Sequence, residues 1–281
     1  MDNRKRTAIQ AAAALLQNAN LKGFFTGSIY QGAGKTVCVP GLNCYSCPGA
    51  VGSCPIGALQ NALSASRFRF PYYIIGLLLF FGTLFGRLIC GFLCPFGLLQ
   101  DLLFRIPAAG KRNTWKGDRL LRRLKYAVLL VLVIVLPLSV KLTPFFCKYL
   151  CPSGTLAGIL LACSNTALFR AFGSRFAWKA CILGLILLAG VWIARPFCKY
   201  LCPLGTIYGQ LNRISVFRMH VDAAACISCG KCAAVCDMGV DPSRTPNHSE
   251  CIRCGRCTDV CPAKALRFGY TPVKEKTELN K

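Results

Sequence analysis

Cys-Pro-x-Gly occurs four times in this chain, and each copy opens a short, mostly apolar stretch. The copies are "CPIGALQNALSASRFR" from Cys54, "CPFGLLQDLLFRIP" from Cys94, "CPSGTLAGILLACSN" from Cys151 and "CPLGTIYGQLNRIS" from Cys202. Proline suits the first position of a helix, where its missing N–H would have had no partner. Each copy therefore predicts a helix that starts just past a cysteine. Three copies have a second cysteine four residues earlier: Cys90 with Cys94, Cys147 with Cys151, and Cys198 with Cys202. Long apolar runs precede these three, and the last two share Cys-Lys-Tyr-Leu-Cys-Pro at 147–152 and 198–203. The predicted unit is a hairpin: a helix that rises, an apex carrying C-x3-C-P-x-G, and a short helix that returns. Repetition of such a unit predicts a row of them.

The solvent for that row is expected to be a bilayer. Of the 281 residues 54% are hydrophobic and only 16% charged, with positive mean hydropathy, a balance usual in membrane proteins. Candidate spans are 72–89, 126–142, 156–169 and 178–194. The second and fourth are long enough for about 30 Å of hydrocarbon, and the third is short enough to need shelter from its neighbours. The weak apolar run at 8–16 is read as a retained helix and not as a signal peptide, since no cleavage site follows it. Sixteen Lys and Arg fall on the loops between units, eight of them between Arg105 and Lys125, against seven around the apices. By the positive-inside rule the loops and the C-terminal module face the cytoplasm, and the apices lie within or toward the outer half of the membrane.

Twenty cysteines in one chain mean disulfides or metal-bound thiolates, and their spacing chooses between these. Residues 226–236 read "CISCGKCAAVC" and 251–262 read "CIRCGRCTDVCP", two copies of C-x2-C-x2-C-x3-C. These resemble the bacterial two-cluster ferredoxins, in which three cysteines of one copy share a cluster with the fourth of the other. The resemblance implies one 4Fe-4S cluster on Cys226, Cys229, Cys232 and Cys261, and another on Cys251, Cys254, Cys257 and Cys236. Gly230 and Gly255 are expected in the tight turns. At the apices, cysteines four apart on a helix point the same way, so two facing apices supply four thiolates. Cys147, Cys151, Cys198 and Cys202 are expected to form one such 4Fe-4S site. Cys90 and Cys94 then need partners among Cys38, Cys44, Cys47 and Cys54; Cys44 and Cys47 are favoured, with Cys54 close behind. Disulfides or zinc at the apices are the alternatives. Lys148 and Lys199, each between two proposed ligands, would either offset cluster charge or snorkel to the interface. Cys163 and Cys181 have no spacing partner and read as packing residues. "GAGKT" at 32–36 is no P-loop, because Ile29 stands where the first glycine is required.

With these motifs and "GLNCYSCPGAVGSCPIGALQ" in place, the chain is similar to the membrane-bound 4Fe-4S polyferredoxins. That family is related to the quinol dehydrogenase membrane subunit of periplasmic nitrate reductase and to the membrane domain of the nitrous-oxide reductase regulator. The resemblance implies a mainly α membrane protein of helical hairpin repeats plus a small α+β ferredoxin-like domain. The expected division is 1–215 for the membrane domain (about 1–70, 71–107, 124–170 and 177–215), 216–270 for the ferredoxin domain and 271–281 for a polar tail. It further implies a multi-pass protein of a bacterial or archaeal cytoplasmic membrane that passes electrons through about four 4Fe-4S clusters. The donor would be a cytoplasmic ferredoxin or flavoprotein and the acceptor an extracytoplasmic redox partner. A quinol-oxidising subunit, with quinone as partner, and a redox-sensing or maturation factor are the alternatives. No feature points to nucleic acid. The spans hold almost no carboxylate; Asp101 is the exception, expected to pair with an arginine. A one-electron carrier needs closely spaced centres but no acid–base groups, so an electron-transfer protein is expected and not a stand-alone enzyme.

Overall fold

A computed structural model of the chain describes residues 3–65, 70–111, 113–114, 117–140, 143–165, 170 and 172–270. Arg67, Arg69, Arg112, Lys116 and Lys141 of the charge pattern lie outside the described residues, as does the tail at 271–281.

The four Cys-Pro steps each start a helix. The helices Pro55–Ser64, Pro95–Arg105, Pro152–Ser164 and Pro203–Leu211 all have cysteine at the N-cap and proline at the first position. Three of them return from an apex made by a five-residue helix: Leu88–Phe92, Phe145–Tyr149 and Pro196–Tyr200. Each apex is reached by a longer helix. The first is Tyr72–Phe85, and the third is Ser174–Trp192. The second runs as Asp118–Ala127, widens to a π-helix over Val128–Val135, and closes with Leu136–Ser139. The first copy of the motif has only its return helix, and the loop before it takes the place of a rising helix.

The expected spans are only partly found. Among the described residues only Ser174–Trp192 is long and apolar enough, by length and composition, to cross a membrane. The 72–89 span is broken at Gly86, whose φ of 55° turns the chain after fourteen helical residues, about 21 Å of rise. Only Leu183, Ile186 and Gly190 of Ser174–Trp192 are buried, and Leu185 and Leu188 point outward at 62% and 60%. A core helix of a soluble protein would hide such residues. Cys163 and Cys181, expected to pack inside, are exposed as well.

The N-terminal helix Asn3–Gln17 lies along Pro95–Arg105. The Gln10 side chain donates to the Cys94 carbonyl at 3.1 Å, and that of Gln17 to the Leu93 carbonyl at 2.7 Å. After the last return helix, strand β1 (Phe217–Val221) pairs antiparallel with β2 (Leu266–Tyr270), in register Phe217 to Tyr270. Between them lie the helices Lys231–Ala234 and Arg256–Asp259, each entered through a left-handed glycine, Gly230 or Gly255. Ser228 and Arg253, each two residues into its cysteine motif, share a positive φ, so the two copies turn alike.

The C-terminal module is not held apart from the helices. Ile252, Met238 and Val240 belong to the same buried cluster as Ile89, Phe146, Phe197 and Tyr208. A methyl group on Gly91 would lie 2.6 Å from the Ile252 carbonyl oxygen, so only glycine lets the loop approach this closely. Arg87, fully buried, donates to Glu250 at 2.6 Å, to the Ser249 carbonyl at 2.9 Å and to the Cys198 carbonyl at 2.7 Å. Arg253 reaches back to the Phe85 carbonyl at 2.9 Å. Two of the apices, expected within or toward the outer half of the membrane, are thus in direct contact with this module. The module sits directly on the apices at Cys90 and Cys198, because buried arginine clamps join them.

Candidate iron–sulfur sites

Two cavities lie in the C-terminal module. One is lined by Cys226, Cys229, Cys232 and Cys261, the other by Cys236, Cys251, Cys254 and Cys257. The crossed grouping, with the fourth cysteine of each copy joining the other, is the one that the ferredoxin resemblance implies. Burial pushes the Cys251 and Cys257 thiols up to about 12, so they stay protonated at neutral pH unless a metal centre displaces the proton. The Val240 N–H donates to Cys236 Sγ at 3.5 Å.

The apex cysteines divide differently from the expected grouping. Cys90, Cys94, Cys198 and Cys202 lie within mutual electrostatic reach. So do Cys44, Cys54, Cys147 and Cys151. The two Cys-Lys-Tyr-Leu-Cys-Pro apices thus do not face each other; each faces one of the other two copies. Packing explains the choice. Phe96 meets Phe197 edge to face at 5.2 Å, bringing the first and third apices together. The second apex instead meets the helix that begins at Cys54. A methyl group on Gly57 would lie 3.8 Å from Cys147 Sγ, and one on Gly154 would lie 3.7 Å from Cys44 Sγ. Cys47 is buried within electrostatic reach of Cys44 and not of Cys90 or Cys94, so it does not partner that pair, and Cys38 is buried apart from the four cysteines of either set.

Two glutamines, absent from the expected site, show why the sets form as they do. Gln100, six residues after Cys94, is fully buried, accepts from the Phe197 N–H at 3.1 Å and donates to Cys198 Sγ at 3.3 Å. Gln60, six residues after Cys54, accepts from the Phe146 N–H at 3.0 Å and donates to Cys147 Sγ at 3.7 Å. Each amide caps the start of the partner apex helix, whose first N–H groups have no intrahelical acceptor, and offers a hydrogen to a ligand sulfur. The other two copies have no glutamine at that position but carry threonine four residues after the cysteine, and Thr155 and Thr206 donate to the Cys151 and Cys202 carbonyls. There Cys151 Sγ accepts from the Gly154 N–H at 3.4 Å and Cys202 Sγ from the Gly205 N–H at 3.3 Å. A helix N-terminus favours negative charge at such a sulfur. The signal was in the sequence: "CPIGALQ" and "CPFGLLQ" share glutamine, "CPSGT" and "CPLGT" share threonine, and each site takes one of each kind.

The cations are not those expected. Lys148 lies over the Tyr149 ring at 5.5 Å. Lys199 is fully buried, donates to the Asn113 carbonyl at 2.8 Å and lies within electrostatic reach of Cys236. A residue next to a ligand on a helix points about 100° away from it, which turns both lysines from their own sets. Arg87 and Arg195 lie by the Cys90/Cys198 set instead, and Lys179 by Cys44, Cys147 and Cys151. Lys179 Nζ donates to the Cys147 carbonyl at 3.2 Å. Arg195 holds Asp101 through two contacts of 2.6 Å, with Arg6 at 3.0 Å, the arginine pairing expected for that carboxylate. In the module, burial alone would raise Glu250, but Arg87 and Lys125 more than offset it and hold it at about 2.

These donor sets fit 4Fe-4S clusters. All twenty cysteines are free, so no disulfide competes. Among the described residues no three His, Cys, Asp or Glu side chains converge on one metal-ion position. Tetrahedral zinc needs four sulfurs about 2.3 Å from one point, whereas each thiolate of a 4Fe-4S set binds a different iron. The Cys44/Cys54/Cys147/Cys151 set opens on a cavity of about 210 Å³.

A family model described as a 4Fe-4S binding domain matches residues 70–114, 124–165 and 174–221, the three full hairpins, and a second of that description matches 245–267. The chain belongs to the ferredoxin-type 4Fe-4S proteins. Among its relatives are the methylamine utilization ferredoxin-type protein MauN of Paracoccus denitrificans, 26% identical over 65% of this chain and 60% of that one. The ferredoxin-type protein NapH of Haemophilus influenzae is 29% identical over 57% of this chain and 50% of its own. Protein NirI of Paracoccus denitrificans is 30% identical over 69% of this chain but 28% of its own. The chain spans about half the length of the curated relatives it matches first. No solved structure matches it. This ferredoxin-type protein is thus of mostly helical build, and its matches to 4Fe-4S binding domains and its cysteine sets support iron–sulfur clusters as its cofactors.

Proposed function

We propose that this ferredoxin-type protein is a transmembrane electron conduit of a bacterial or archaeal cytoplasmic membrane. In this reading the four sets form one line: Cys226/Cys229/Cys232/Cys261, then Cys236/Cys251/Cys254/Cys257, then Cys90/Cys94/Cys198/Cys202, then Cys44/Cys54/Cys147/Cys151. Each would hold a 4Fe-4S cluster, which supplies a one-electron redox centre. The protein's own part is to space the centres, exclude water from them and balance their charge with Arg87, Arg195 and Lys179.

The observation that carries this reading is the contact of Gly91, between Cys90 and Cys94, with the carbonyl of Ile252, between Cys251 and Cys254. It joins the ligand loops of the second and third sets without an intervening layer. Tyr208, fully buried, continues the line, since it lies within electrostatic reach of Cys90 and Cys94 of the third set and of Cys54 of the fourth. The exposed apolar faces of Tyr72–Phe85 and Ser174–Trp192 support a bilayer around the helices. The C-terminal module would face the cytoplasm, with an extracytoplasmic acceptor served from the set at Cys44.

Reconstitution tests this. Liposomes bearing the protein should reduce an enclosed acceptor when dithionite is supplied outside; an acceptor that stays oxidised while the clusters are reduced would refute the conduit.

A second reading, quinol oxidation, is favoured by one feature. A cavity of about 250 Å³ beside Cys44 and Cys47 is lined mainly by apolar side chains, among them Phe24, Leu42, Phe96 and Leu99. Reduction of the clusters by a short-chain quinol, blocked by a quinol analogue, would favour that direction of flow.

A further inference from the structure

A cleft of about 600 Å³ opens between the helix Asp118–Ala127 and the loop that joins the two ferredoxin motifs. Arg119, Arg122 and Arg123 line one wall, and Val240, His248 and Glu250 line the other. Its carboxylates are already committed. Asp118 is held by Arg122 at 2.5 Å and by the Tyr200 hydroxyl at 2.6 Å. Glu250 is held by Arg87 and Lys125, and Asp241 accepts from Ser243. Arg122 is spent in part as well, since it also donates to the Met238 carbonyl at 2.8 Å, tying the two walls together. Arg119 and Arg123 are exposed and have no ion-pair or hydrogen-bond partner among the described residues. The cleft therefore presents unneutralised positive charge, on a chain of formal net charge +24.

Its position gives that charge a use. Val240 forms part of the cleft wall and of the cavity around Cys236, Cys251, Cys254 and Cys257, and its N–H donates to Cys236 Sγ. One residue thus separates the cleft from the second cluster set. A redox centre brought to the cleft mouth would face that set without crossing the rest of the module.

We propose that this cleft is the docking surface for a soluble, acidic one-electron carrier protein, which delivers its electron to the set at Cys236, Cys251, Cys254 and Cys257. One electron leaves the carrier's reduced centre and one is gained by the cluster; no bond is made and no proton moves. The proposal rests on the conduit reading and names its point of entry. Carboxylates on the carrier meet Arg119 and Arg123, and a field of this kind raises the encounter rate and weakens with ionic strength. The phosphates of anionic lipid are the rival occupants. The wall contributed by the ferredoxin loop favours the carrier, because lipid attraction needs only the helix end.

The test uses the full chain in nanodiscs of neutral lipid, with a reduced bacterial two-cluster ferredoxin of net negative charge as the probe. Stopped-flow absorbance should show cluster reduction whose second-order rate constant falls as salt rises. The R119E/R123E variant should lower that constant by about tenfold at low salt, with R119Q/R123Q intermediate, while iron content and reduction by dithionite stay unchanged. Equal constants for wild type and variant, a salt-independent wild-type rate, or no reduction by the ferredoxin while dithionite still works would overturn the proposal and leave the conduit standing. A loss confined to nanodiscs that contain anionic lipid would also overturn it and hand the cleft to lipid. Failure of dithionite-driven transfer across the membrane strikes the conduit reading itself.

Discussion

Gln60 and Gln100 each use both ends of one amide. The oxygen takes a backbone N–H at the start of an apex helix and the nitrogen gives a hydrogen to a ligand sulfur, with both side chains fully buried. A hydrogen bond to a ligand sulfur stabilises the more negative, reduced state of a cluster, so its removal should lower the potential. About 1 kcal/mol of differential hydrogen bonding corresponds to roughly 40 mV for one electron. Gln100→Leu is therefore expected to lower the potential of the Cys90/Cys198 centre by tens of millivolts, and Gln60→Leu that of the Cys44/Cys147 centre by less, given the longer contact. A redox titration followed by EPR reads both, and unshifted potentials would reduce the amides to helix caps. The spacing of the cysteines was plain from the sequence and these amides were not, because an uncharged glutamine in an apolar helix carries no ligand signature by itself.

Between elements, the lesson lies in which apex meets which. The helix starts at Cys54, Cys94, Cys151 and Cys202 were legible because proline and cysteine at an N-terminus constrain the backbone locally. The pairing was not, because sequence identity between 147–152 and 198–203 suggested that like faces like. Packing instead joins a glutamine-bearing return helix to a threonine-bearing one at each site. The crossed ferredoxin grouping was expected because the two C-x2-C-x2-C-x3-C motifs carry the resemblance that implies it. The apex pairing makes a sharp expectation: Cys90→Ser and Cys198→Ser should abolish one and the same EPR signal, and Cys54→Ser and Cys147→Ser another. Each variant should lose about four irons per chain relative to the parent. If Cys147→Ser and Cys198→Ser instead remove the same signal, the two like apices share a cluster after all.

At the scale of the whole molecule, the C-terminal module is fastened to the helices by a buried charge cluster, with Glu250 between Arg87 and Lys125 and all three at most 3% exposed. Taking the carboxylate away leaves two buried cations without a partner, a change that costs about 3–5 kcal/mol in comparable settings. Glu250→Gln should loosen the module without touching a ligand. The expected result is faster proteolytic release of the C-terminal module with little change in iron content. It should also slow electron transfer from the module to the Cys90/Cys198 centre. Release at the parent rate would show that the apolar contacts of Ile252 suffice. The contact between this module and two of the apices was not legible in the charge pattern, which locates loops relative to a membrane but says nothing of what folds back onto them.

The way each apex borrows ligands from elsewhere in the chain also sets an order of maturation. Reading from the N-terminus, the four sets are completed at Cys151, Cys202, Cys257 and Cys261. As the chain emerges during synthesis, the centre farthest from the C-terminal module is the first whose ligands all exist, and the two in the module are the last. The protein is therefore built in the direction opposite to the proposed flow of electrons, and a nascent chain acquires its exit before it has an entrance.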